Sequence, residues 1–147
     1  MKRYEHRTRL QAPLSAVARF HSDSRALKLL TPPPVFVQIH RAEPLGEGSQ
    51  TEFTMWMGPL PVRWLAVHCA VDPLRGFTDS QERGPFTAWV HRHSFEPLGD
   101  DGCEIVDRIE AEPGKHPFWG LVSWFMWLNL PFMFAYRGWV LRRKLEH

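Results

Sequence analysis

The chain has 147 residues, with 18 lysines and arginines against 16 aspartates and glutamates and a formal net charge of +2. This length suits one domain with its own core, and so small a charge argues against nucleic acid as a partner. The two cysteines lack the paired spacing of a disulfide framework or a metal knuckle, and the charged N-terminal segment lacks the apolar stretch of a secretory signal. We therefore expect a cytoplasmic protein.

Alternating polar and apolar residues predict strands along most of the chain. The first strand covers 3–11, and two short helices follow it and end at the prolines of 32–34. A stretch of twenty residues without a formal charge, from Pro117 to Tyr136, predicts one long C-terminal helix. Between these helical segments, glycines and prolines separate six further strands, predicted over 35–42, 49–57, 62–71, 76–81, 87–95 and 104–112.

The hairpin over 77–95 is the most informative segment, because it places histidines on a largely aromatic face. Successive side chains of a strand point to opposite faces, so every second residue of each strand shares a side. We expect this face to form part of a pocket wall, since binding sites are mostly hydrophobic with a few placed polar groups. It carries Phe77, Asp79, Gln81, Trp89, His91, His93 and Phe95.

Asp107 is the one carboxylate on an otherwise apolar face of the next strand. If the turn between the two strands pairs Phe95 with Cys103, antiparallel register places His91 opposite Asp107. We predict this register and an inward-facing polar cluster.

Three interpretations of the cluster remain open. His91 and Asp107 could satisfy each other's hydrogen bonds inside the fold, as buried polar groups must. They could instead orient a polar group of a bound ligand. In the third interpretation His91 or His93 acts as a general acid or base, because a neighbouring carboxylate raises the pKa of a histidine. Two histidines and an aspartate leave metal coordination incomplete, so we expect no metal and no other cofactor.

The C-terminal helix is apolar nearly all round, which indicates that both of its sides are covered. Its length would suit a membrane span, but Asn129 and Pro131 interrupt it. We expect a homodimer through the region 118–134, with peripheral membrane contact as the alternative. Arg137 could pair with a ligand carboxylate, but extension to solvent is the expectation. His21 and His68 are expected at positions without a functional cluster.

The string F-x-D-x-Q-x-x-G-P-F-x-x-W-x-H-x-H-x-F from Phe77 to Phe95 is followed by Asp107 and by Phe134, Tyr136 and Arg137. With the element order, this string resembles the SRPBCC superfamily, which includes START lipid-transfer domains, pollen-allergen-like proteins and polyketide cyclases. More specifically, it resembles a bacterial subgroup of cyclase/dehydrase-like, ligand-binding proteins, some fused to a nucleotide-sugar-epimerase-like domain.

The resemblance implies an α+β helix-grip fold, in which a seven-stranded antiparallel sheet wraps around a long C-terminal helix and two short helices follow strand 1. It also implies a cavity between sheet and helix whose ligands are mostly apolar, ring-bearing or lipidic. We predict one such domain over 1–144, with 145–147 as the remnant of an expression tag.

The predicted function is binding of a small or medium hydrophobic ligand that is aromatic, polyketide-like or lipid-like. The alternatives are a cyclase or dehydratase with a pocket histidine as general acid or base, and a module that docks on a membrane or a subunit through the aromatic helix. The catalytic candidates are His91, His93 and Asp107. The predicted ligand-binding residues are Asp79, Gln81, Trp89, His91, His93, Phe95, Asp107, Trp124, Phe125 and Leu128.

Overall fold

The chain forms one seven-stranded antiparallel sheet and four helices, in a computed structural model that describes residues 1–146. The predicted α+β helix-grip fold is confirmed. The elements in chain order are β1 (Lys2–Leu10), α1 (Leu14–Ser22), α2 (Arg25–Leu29), β2 (Phe36–Ala42), β3 (Gln50–Met57), β4 (Leu60–Asp72), β5 (Gly76–Arg83), β6 (Ala88–Leu98), β7 (Gly102–Glu112), α3 (Pro117–Leu128) and α4 (Leu130–Leu145).

The strand order β1-β7-β6-β5-β4-β3-β2 makes β2 to β7 a run of neighbouring hairpins, and β1 completes the sheet beside β7. Consecutive antiparallel strands need only short turns, which the glycines and prolines between them provide. Gly76 begins β5 with φ +127°, and a Cβ there would overlap the carbonyl oxygen of His93. The absent side chain therefore lets β5 approach the part of β6 that carries the histidines.

The C-terminal segment is two helices rather than the predicted single helix, which is a correction. α3 ends at Leu128, and the side-chain Nδ2 of the following Asn129 donates to the carbonyl oxygen of Phe125 at 2.8 Å. α4 begins at Leu130 and is bent by 50° relative to α3. Pro131 has no backbone N–H, so it suits the first turn of a new helix and not the interior of a continuous one. Neither α3 nor α4 alone is long and apolar enough to cross a membrane.

Two clusters of buried side chains hold the helices to the sheet. One cluster joins α1 and α4 to β1, β6 and β7 around Val17, Phe95 and Leu141. The other joins α4 to the sheet around Trp89 and Phe134. Burying one such side chain contributes about 1.5 to 3 kcal/mol. An open volume remains between the sheet and the helices.

The last described residues take part in the fold. Leu145 ends α4 and packs against the first cluster, and the Glu146 carboxylate accepts a hydrogen bond from the backbone N–H of Gln11 at 2.7 Å. His147 lies outside the described residues. The tag remnant predicted over 145–147 therefore stays a prediction.

Candidate ligand-binding cavity

A cavity of about 650 Å³ lies between the concave face of the sheet and the C-terminal helices. Strands β3 and β4 give it an apolar wall that includes Phe53, Met55 and Trp64. Strands β5 to β7 give it a polar wall of aspartates and histidines, and α1, α2 and the proline segment after α2 close another side. The rim includes Phe125 and Phe132, which are exposed. The cavity therefore opens beside the bend between α3 and α4.

The predicted register of β6 and β7 was wrong by two residues. Phe95 pairs with Ile105 rather than with Cys103, and His93, not His91, lies directly opposite Asp107. The reason is the position of the turn: Leu98 pairs with Gly102, so the hairpin is centred on Asp100, one residue later than the predicted register requires, and Gly99 turns the chain with φ +69°. A shift by an even number of residues keeps each side chain on its face.

Two aspartates and two histidines on the polar wall form one connected cluster. His93 Nε2 donates to Asp79 Oδ2 at 2.6 Å, and His91 Nε2 donates to Asp107 Oδ1 at 2.8 Å. His93 Nδ1 lies 3.4 Å from the same Asp107 oxygen, and the two imidazole rings stack with centroids 3.7 Å apart. The side chains of His91 and Asp107 are 5% and 10% exposed. We call these four residues the His–Asp cluster.

The two histidines of the His–Asp cluster hold different charges. Burial lowers the pKa of His93, but hydrogen bonds to Asp107 and Asp79 outweigh it and raise this pKa to about 9. Burial and the positive charge of His93 lower the pKa of His91. Burial raises the pKa of both aspartates, yet hydrogen bonds from the histidines leave both values lowered. At neutral pH the cluster therefore contains two carboxylates, a cationic His93 and a neutral His91.

This charge state limits the chemistry of the cluster. His93 carries a proton on each ring nitrogen, so it has no lone pair for a base or for a metal ligand near neutral pH. Donor atoms of Asp79, His91 and His93 lie within 4.8 Å of one another, but a metal ion would have to displace that proton. Neutral His91 donates from Nε2 and keeps its lone pair on Nδ1.

Arg137 lies in the cavity wall, and the expectation that it extends to solvent was wrong. Its Nε atom is buried and has no hydrogen-bond partner. The guanidinium carbon lies 5.3 Å from the ring centre of Phe134, one turn earlier on α4. Burial lowers the pKa of Arg137, although the charges of Asp107 and Asp79 act in the opposite direction. The signal that could have found it is the helical spacing of Phe134, Arg137 and Leu141, all of which line the cavity.

His21 and His68 also line the cavity, which their sequence positions did not indicate. His21 Nδ1 donates to the carbonyl oxygen of Val17 at 2.8 Å, and burial lowers its pKa to about 4, which keeps it neutral. His68 Nδ1 lies 3.0 Å from the hydroxyl oxygen of Ser49. Both imidazoles therefore have partners within the protein.

The cavity wall brings together only part of the predicted ligand-binding set. Gln81 lies elsewhere, because its amide closes the β5–β6 turn through two hydrogen bonds with the backbone of Phe86. Phe95 is buried in the first core cluster. Trp124 and Leu128 face away from the cavity and are 40% and 70% exposed. The predicted residues that do line the cavity are Asp79, Trp89, His91, His93, Asp107 and Phe125.

No family model and no curated protein matches this chain. Solved structures do match it. A START superfamily protein from Mycobacterium smegmatis is 17% identical with a TM-score of 0.63, and the match covers 94% of this chain and 96% of that one. The di-domain ARO/CYC protein BexL of the BE-7585A biosynthetic pathway is 17% identical with a TM-score of 0.68, and the match covers 97% of this chain and 46% of that one.

A third structure is a nucleoside-diphosphate sugar epimerase from Corynebacterium glutamicum, at 25% identity and a TM-score of 0.68. The match covers 97% of this chain but 28% of the epimerase chain. This chain therefore spans less than half of that protein and of BexL. The matches show that this chain shares its fold with a START superfamily protein and with an ARO/CYC protein.

Proposed function

We propose that this chain, with its SRPBCC helix-grip fold, binds a small or medium apolar ligand between the sheet and the C-terminal helices. The observation that carries the proposal is the cavity of about 650 Å³. Protein interiors are close-packed, with few voids larger than a water molecule, and ligand sites commonly measure about 300 to 1,000 Å³. A mostly apolar wall with a few polar groups also fits such a site.

The wall favours an aromatic, polyketide-like or lipid-like ligand. Phe53, Trp64 and Trp89 offer flat apolar surfaces, and Met55 and Met133 can adjust to an irregular shape. The START and ARO/CYC proteins with this fold support a ligand of that kind. A cytoplasmic location remains a prediction.

A cyclase or dehydratase activity is the second candidate. One observation favours it: His91 is neutral, lines the cavity and keeps a lone pair on Nδ1. His91 is therefore a better candidate base than His93, whose charge is held by Asp79 and Asp107. Turnover of a bound ligand that is lost in His91→Ala would support this activity over binding alone.

The predicted homodimer also becomes a proposal. The outer side of α3 exposes Leu121, Trp124 and Leu128, which are 70%, 40% and 70% exposed. An exposed apolar patch on a folded domain commonly marks a contact with a partner or a membrane. We propose that a second copy of this chain covers the patch, and peripheral membrane contact is the alternative outcome.

Binding of the neutral apolar dye Nile red tests the proposed function. Ala66 lies in the cavity wall and is 5% exposed, so Ala66→Phe should obstruct the cavity and weaken dye binding by about 1 to 3 kcal/mol. Ala135→Phe adds the same side chain at an exposed position of α4 and should leave the affinity unchanged. Native mass spectrometry of untreated protein would identify a copurified ligand. Equal dye affinity in both folded variants would reject the cavity as the site.

A further inference from the structure

Arg137 differs from the histidines and aspartates of the cavity wall because its buried Nε atom has no hydrogen-bond partner. Within residues 1–146, its Nε is the one buried side-chain nitrogen or oxygen without a hydrogen bond. Asp79 forms an ion pair with the cationic His93, and Asp107 accepts a hydrogen bond from the neutral His91 rather than from this guanidinium. A buried polar group without a partner is costly, and the cost is greater for a charged one.

The guanidinium is also held in place. It lies over the ring of Phe134, with 5.3 Å from its central carbon to the ring centre, in an arrangement that favours a cation. Phe134 itself is 1% exposed, so this support is rigid. A guanidinium presents its N–H groups as a planar fork, which matches the two oxygens of a carboxylate.

The neighbouring histidines and aspartates already have hydrogen-bond partners within the protein. His93 donates to Asp79 and His91 donates to Asp107. His21 and His68 have their own partners in the protein. The cationic His93 lies between the two carboxylates, so it compensates one of their two negative charges before a ligand enters. Arg137 is therefore the group in the cavity wall that needs an acceptor from outside the protein.

We propose that the ligand is an apolar carboxylate, whose charged group binds Arg137 while its apolar body lies against the aromatic wall of β3 and β4. This inference rests on the proposed function and adds a ligand class to it. The Arg137 fork would donate to both carboxylate oxygens, and the partner missing from the protein would come from the ligand.

A matched pair of competing ligands tests whether a negative charge on the ligand strengthens binding. Naphthalene carboxylate and naphthalene carboxamide have the same shape and differ in charge, and each displaces Nile red if it enters the cavity. We expect the carboxylate to bind wild type about 10- to 100-fold more tightly than the carboxamide, which corresponds to one strong charge-assisted interaction. In Arg137→Gln the two should compete equally, and in Arg137→Lys the preference should persist in part because the charge remains.

Arg92→Gln is the control, because Arg92 is an exposed arginine of β6 that pairs with Glu110 outside the cavity. It should leave the preference for carboxylate unchanged.

Equal competition in wild type, or a preference that survives in Arg137→Gln, would overturn the inference while leaving apolar binding intact. Failure of wild type to bind Nile red would count against the proposed function instead, and calorimetry with the two competitors would then decide both questions. If Arg137→Gln does not fold, the wild-type preference and Arg137→Lys decide.

Discussion

The two walls of the cavity both carry buried charge, but they compensate it differently. On the sheet side, strands β5 to β7 bring each charged group of the His–Asp cluster against an opposite charge or a hydrogen-bond donor. On the helix side, α4 presents Arg137 with no partner in the protein. A partnered cluster can stabilise the empty protein, whereas an unpartnered cation costs stability until a ligand arrives. The comparison distinguishes charged groups that stabilise the fold from a charged group that is available to bind a ligand.

Removing Asp107 should produce the largest effect on stability. Asp107→Ala would leave His91 without its acceptor and His93 with one carboxylate instead of two, inside the fold. Breaking one side of a buried ion pair costs about 3 to 5 kcal/mol, so we expect a loss of that size in the free energy of unfolding. Urea denaturation monitored by tryptophan fluorescence would measure it.

Glu110→Ala is the control for that change. Glu110 belongs to the same strand but pairs with Arg92 outside the cavity, where its side chain is 34% exposed. Such a surface pair contributes at most about 1 kcal/mol. If Asp107→Ala cost no more than Glu110→Ala, the His–Asp cluster would not stabilise the empty protein, and the contrast between the two walls would fail.

The two walls also differ in how far the sequence predicted them. In β5 to β7 the period of two residues identified the inward face, and it placed Asp79, His91, His93 and Asp107 there. The error of two residues in the β6–β7 register did not change the face of the sheet on which each side chain lies. The sequence therefore identified the members of the cluster but predicted the wrong cross-strand pairs. Which residues pair across a hairpin depends on how many of them the turn uses, and the sequence did not specify that number.

The helix side could not be predicted in the same way. Apolar residues surround α3 almost completely, so their pattern contains little information about which side faces the cavity. Trp124 and Leu128 were placed inside and lie outside, and Arg137 was expected in solvent and lies in the wall. The bend at Asn129 sets these directions, because it rotates α4 relative to α3. A proline indicates a break but not the angle that follows it.

Arg137→Met should have a smaller effect than Asp107→Ala and the opposite sign. Burial lowers the pKa of Arg137 despite the two nearby carboxylates, which indicates that its desolvation exceeds its attraction to them. Methionine keeps an apolar side chain of similar length, so the empty protein should become more stable by on the order of 1 kcal/mol. Urea denaturation of protein stripped of ligand would show the gain. A loss of stability would instead make Arg137 a structural member of the His–Asp cluster.

The smallest effect on folding is expected outside the cavity, at Leu128. This side chain is 70% exposed on α3, so Leu128→Glu should change the free energy of unfolding by no more than about 0.5 kcal/mol. Its effect should appear in association, because a carboxylate in an apolar contact between two copies would remain unpaired. Sedimentation should show a dimer for wild type and a monomer for Leu128→Glu.

The control is Leu98→Glu, because Leu98 is a leucine of β6 that is 45% exposed. This variant should stay dimeric. A wild-type protein that is monomeric at all concentrations would contradict the dimer. If that monomer bound lipid vesicles and Leu128→Glu did not, the exposed side of α3 would be a membrane contact instead.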